Sequence, residues 1–164
     1  MARGRPLEIG AELVEALRHS GLVNEYLVNA VPARLWQTPP PDGRGRSIAA
    51  IVAHMQGLRR TFARLAGVKP GPPSLDGKRS TPLQARRAMR RTNDDLCRLF
   101  EKAFAAERAR VKGMPRRAVS MLTYLMQHDA HHRGQITTLA RQFGHQFSTE
   151  DVTRIWGWKK LPQM

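Results

Sequence analysis

The chain has 164 residues, 41% of them hydrophobic, and carries a formal net charge of +15. That length suits one domain, spanning 1–164, that buries its own core, and no apolar run approaches the roughly 20 residues a membrane-spanning helix needs. The single cysteine, Cys97, excludes an internal disulfide framework and fits a reducing, cytoplasmic compartment.

The charge raises nucleic-acid binding, because Lys and Arg neutralise phosphate backbones without sequence preference. Against it stand a low aromatic content of 6% and the lack of a helix-turn-helix, zinc-finger or RNA-binding signature. The basic start, residues 1–6, reads as a flexible arm, since an amphipathic pattern follows it rather than a signal-peptide apolar block.

Residues 7–30 carry Leu7, Ile9, Leu13, Val14, Leu17, Val23, Tyr26 and Leu27 at roughly helical spacing, and Pro32 closes that helix. Thr38 to Arg46, rich in Pro and Gly, is a loop; its Gly-Arg-Gly-Arg piece lacks the spacing of a phosphate-binding loop. Ser47 is a good N-cap for a second helix over 47–66 with the stripe Ile48, Ile51, Val52, Met55, Leu58, Phe62 and Leu65. His54 borders that stripe. Gly67 stops the helix, and Lys69 to Lys78 forms a long surface loop.

Thr81, Pro82 and Gln84 agree on the start of a third helix: N-cap, first-turn proline and capping box. Its buried side is Ala85, Met89, Leu96, Leu99, Phe100 and Ala103. Arg86, Arg87, Arg90 and Arg98 form a solvated face with Asp94 and Asp95 spaced to pair with them. Cys97 falls towards the exposed side as a structural thiol. Gly113-Met114-Pro115 precedes a fourth helix over about 116–143, striped by Ala118, Met121, Leu122, Leu125, Ile136, Leu139 and Phe143. Ser148 and Asp151 cap a short last helix carrying Ile155, Trp156 and Trp158. No strand alternation or repeat appears. The expected fold is all-α, a four-helix bundle with a short C-terminal helical appendage.

Three of the six histidines fall within residues 128–132. At about 100° per residue, His128 and His132 lie inside the fourth helix's apolar stripe and His131 on its flank. One turn apart, the pair offers two imidazoles to one ion, and His54 on another core helix can supply a third ligand. Three histidines leave a coordination position open, as catalytic sites do. The competing reading of a lone His54 is a hydrogen-bonded, half-exposed side chain. Burying both imidazoles of the pair without partners is costly, which favours a metal. The string His-Asp-Ala-His-His also resembles the zinc-protease motif, but Asp129 is shorter than the glutamate that motif needs. Asp129 can instead orient a ligand histidine or bind Arg133, with His131 and Gln135 also close to the ligands. His19 and His145 read as surface residues.

Gly45 to His54, Thr81-Pro82 opening a helix, and His128-Asp-Ala-His-His-Arg-Gly-Gln135 resemble the DinB family of four-helix-bundle proteins over nearly the whole chain. The resemblance implies a divalent metal, zinc or nickel, on His54, His128 and His132. It also implies a metal-dependent activity on a small-molecule substrate, such as S-transfer from a low-molecular-weight thiol or another detoxifying reaction. A water or thiol at the open position would be the reactive group. Homodimers are common among similar proteins. Tyr124, Gln135 and Trp156 are the candidate substrate-pocket residues. The alternative is a non-enzymatic, basic stress-response or nucleic-acid-binding module whose metal is structural or vestigial.

Overall fold

Local chemistry dictates where each helix begins and ends in the computed structural model, which describes residues 8–157, 159 and 161. The expected N-terminal arm, Leu7 and Trp158 lie outside the described residues. Helix α1 spans Ile9–Ala30 and gives way before Pro32 to a single 3-10 turn at Ala33–Leu35. Helix α2, Ile48–Leu65, starts where Ser47 Oγ accepts the Ala50 amide. Helix α3, Pro82–Ala105, opens on the expected capping box of Thr81 and Gln84. Helix α4 spans Ala118–Gln142, and α5, Thr149–Ile155, opens on a second box formed by Ser148 and Asp151. The described residues contain no strand.

The core divides into two apolar clusters, and each long helix runs from one to the other. Val14 and Leu17 of α1, Phe62 of α2, Leu96 and Phe100 of α3 and Leu122 and Leu125 of α4 share one cluster. Leu27 of α1, Ile48 and Met55 of α2, Met89 of α3 and Ile136 of α4 share the other. The order in which each helix meets the two makes α1 and α4 run one way and α2 and α3 the other.

Between the clusters lies a layer of buried polar side chains: Ser20 and Asn24 on α1, Arg59 on α2, Thr92 and Asn93 on α3, and Asp129 and His132 on α4. The candidate metal ligands sit at this level. Gly21 lets α1 and α3 approach there, since a Cβ would lie 2.2 Å from the Asn93 amide nitrogen.

Parallel α2 and α3 require a long crossover, and residues 66–81 supply it by running back along α2. Gln56 holds this strap at both ends of its amide, donating to Pro73 O and accepting from the Leu75 amide. Farther on, Gly77 presses so close that a Cβ would stand 2.8 Å from Ala50 Cα. Trp36 Nε1 and Gln37 Nε2 then both donate to Ser80 O, pinning the strap to the 3-10 turn.

Several expectations need correction. Cys97 is fully buried, not at an exposed edge, because α3 packs against α1, α2 and α4 and so hides more than one stripe. Ile9 and Leu65, at helix ends, are exposed. His19 and His145 are half-buried: His19 Nε2 lies 3.1 Å from Gly157 O, and the His145 ring meets Phe147 edge to face. The arginine face of α3 is solvated, with Arg98 paired to Asp95 as expected, but Arg90 reaches across to buried Glu25 of α1.

Candidate metal centre

His128 and His132 point the same way from successive turns of α4, and the α2–α4 packing sets His54 against them. Three Nε2 atoms converge: His128 stands 3.2 Å from His54 and 3.0 Å from His132. All three donor atoms lie within 4.8 Å of one another. Nitrogens bound to one ion at about 2.05 Å would be about 2.9 Å apart at right angles and about 3.3 Å apart at tetrahedral angles. Both spacings from His128 fall between those limits, so His128 is placed to share one divalent cation with each of the other two, and the His54–His132 pair is held to within 4.8 Å.

Proton bookkeeping points the same way. Gln135 Oε1 lies 2.7 Å from His132 Nδ1 and can only accept, so Nδ1 carries the proton and Nε2 turns a lone pair to the centre. Burial pushes the His128 imidazole down to about 4, aided by neighbouring His132 and against the pull of Asp129. His54 is lowered by burial and by the Arg46 charge. His132 is lowered chiefly by burial, although its bond to Gln135 opposes this. All three therefore stand neutral near pH 7, the form in which imidazole is a ligand. His128 Nδ1 is buried without a hydrogen-bond partner among the described residues.

The neighbours expected from sequence divide three ways. Gln135 braces His132 as described. His131 is exposed on the flank of α4, with its ring 5.0 Å from that of His132. Asp129 is fully buried and faces away from the ligands: its Oδ2 accepts from Arg59 at 2.5 Å, Asn24 at 2.8 Å and Ser20 at 3.3 Å. It neither orients a ligand histidine nor binds Arg133 through any hydrogen bond among the described residues. Arg133 instead donates to Ser20 Oγ and Asn24 Oδ1, joining the same network at one remove. Helical phase explains this, since Asp129 falls one turn after Leu125 in the inward stripe. Sequence reasoning missed Arg59, Asn24 and Ser20, although Arg59 likewise follows Met55 by one turn.

Of the candidate pocket residues, Tyr124 lies near the site, its exposed ring 5.9 Å from that of His128. Trp156 is elsewhere, lining a groove between α4 and α5. Beside His131 and Gln135 opens a cleft of about 900 Å³ between the loop Pro40–Arg46 and α4, also lined by Arg46, Ile51, Leu139 and Gln142; it adjoins the three converging histidines through Gln135, and none of the three is on its wall.

No helix among the described residues is long and apolar enough to cross a membrane. No curated protein and no solved structure gives a significant match to the chain. The DinB family model matches residues 7–160, which takes in all five helices and the three converging histidines; the chain belongs to the DinB family.

Proposed function

We propose that this protein is a four-helix-bundle, metal-dependent enzyme of the cytoplasm that joins a low-molecular-weight thiol to an electrophilic small molecule. The observation that carries the reading is the convergence of three neutral imidazole nitrogens beside a solvent-open cleft. A structural site would close its coordination shell with a fourth protein ligand; among the described residues the cluster stops at three. Bound zinc or nickel would supply Lewis-acid activation of the thiol at neutral pH.

The chain's own groups supply the rest. His54, His128 and His132 hold the ion, and Gln135 keeps His132 in the tautomer that faces it. Ile51 and Leu139 give the cleft an apolar wall for an acceptor's carbon skeleton, and Gln142 offers polar anchoring. In the transfer, the thiol sulfur forms the new S–C bond, its proton passes to solvent, and the acceptor's leaving group departs with the bonding pair.

The test is a panel of small thiols and electrophilic acceptors offered to the zinc- or nickel-loaded chain. Conjugation that needs the metal and is lost in the His128→Ala/His132→Ala variant is the expected result. Conjugation at equal rate without metal would refute the reading. The +15 charge keeps a basic, non-enzymatic module as a second reading. Duplex DNA titrated near physiological salt decides it, with no binding expected here.

A further inference from the structure

The cleft beside the histidines has a lopsided charge. Arg44 and Arg46 both line it, and Asp42 is the one acidic residue on its wall. Asp42 Oδ1 accepts the Arg44 backbone amide at 3.0 Å, a bond to a neutral group that fixes the carboxylate but leaves its charge in place. Neither guanidinium forms an ion pair among the described residues, whereas Arg18, Arg59, Arg90, Arg98 and Arg154 each meet a carboxylate. Two arginines against one carboxylate on one concave wall leave a net positive potential in the space they enclose. Their planar forks match the geometry of a carboxylate or phosphate.

The opposite wall is open at Gly134 and adjoins the candidate metal centre through Gln135. Gly134 on α4 lines the cleft, and a Cβ built there would meet nothing within 4 Å. Next to it, Gln135 lines the same cleft while bracing His132. Arg46 is near enough for its charge to act on both His54 and His132.

We propose that this cleft selects an anionic substrate, holding its carboxylate or phosphate group with Arg44 and Arg46 while the reactive end faces His54, His128 and His132. The inference rests on the metal-site reading for the reactive end only; the oxyanion grip belongs to the loop and stands without the ion.

Two titrations of the full chain, followed by backbone amide NMR shifts, separate these parts. In the metal-free chain, succinate or inorganic phosphate should shift Gly45, Gly134 and Gln135, and neutral succinamide should not. The oxyanion that binds names the group. In the zinc-loaded chain, 3-mercaptopropionate should bind about fivefold more tightly than its neutral amide, as two partly exposed ion pairs worth about 0.5 kcal/mol each would give. Arg44→Ala/Arg46→Ala should abolish both preferences and leave zinc content unchanged. The proposal is overturned if neither oxyanion binds the metal-free chain, or if the preferences survive in the double variant. Oxyanion binding at these amides, with 3-mercaptopropionate titrated into both forms and bound equally by the metal-free and zinc-loaded chains, overturns the metal reading and leaves the anion site standing.

Discussion

Replacing Asp129 with alanine should be among the most damaging single changes in this protein. The carboxylate lies between the two apolar clusters, fully buried, and satisfies Arg59, Asn24 and Ser20 at once. Its loss strands a guanidinium that is itself only 1% exposed, together with the Asn24 amide that donated at 2.8 Å. Breaking a buried ion pair by removing one partner costs about 3–5 kcal/mol, because the survivor keeps its desolvation penalty. Against a total stability of about 5–15 kcal/mol, that is a large fraction. For a chain of this size each kcal/mol moves Tm by about 2–4 °C, so a fall of roughly 6–20 °C is expected.

Urea and thermal unfolding of the metal-free protein measure this without interference from ligand binding. The companion test is Arg59→Met with Asp129→Leu, which removes both charges and fills the volume with apolar atoms. That double variant should recover most of the loss, since buried pairs exchanged for packed hydrophobics are often neutral or better. A cost below about 1 kcal/mol for Asp129→Ala, or single-variant costs that simply add in the pair, would refute the reasoning.

Three further outcomes follow from other parts of the molecule. Gln135→Leu removes the acceptor that fixes the His132 tautomer and should weaken metal binding about 10–100-fold in a chelator competition; unchanged affinity would show that Gln135 plays no such part. Helix α5 docks on α1 through Tyr26 Oη donating to Asp151 Oδ1. Bonds from Ser148 and then Tyr26 hold the Asp151 carboxyl below its ordinary 3.8. Its contribution is thus full above 3.8 and is lost as pH falls through the lowered folded value. Asp151→Asn should flatten this acid limb, read by tryptophan fluorescence; an identical limb in the variant would count against the account. Burial pushes the Cys97 thiol up to about 11, and the side chain is fully covered. Iodoacetamide at pH 8 should therefore modify it only in denaturant, and rapid labelling of native protein would contradict the burial.

How much of this could be read from residues alone depended on the range of the forces involved. Helix starts at Ser47, Thr81 and Ser148 were legible because a cap is settled within four residues. Helical phase was equally local, so it separated His131 from His128 and His132. The same phase applied to Asp129 and Arg59 puts both in inward stripes, and a buried acid implies a buried base. The sequence offers Asp129 a ligand histidine or Arg133, whereas its partner is Arg59, because which side chain of α2 meets α4 at that level is set by packing between distant segments. Cys97 lies beyond the periodic stripe yet is buried, because the width of the hidden arc on α3 depends on how many helices surround it. The lie of the loop carrying Arg44 and Arg46 over α4 has no periodic signature and emerges only from the packing of distant segments.

Metal content is the measurement nearest to the central claim. Elemental analysis of the purified chain should find about one divalent ion per molecule in wild type, the number three histidines and an open position would hold. His54→Ala should lose most of it and His128→Ala/His132→Ala all of it, with each variant folded by circular dichroism. Equal metal in wild type and the double variant would contradict the assignment of His54, His128 and His132 as the site.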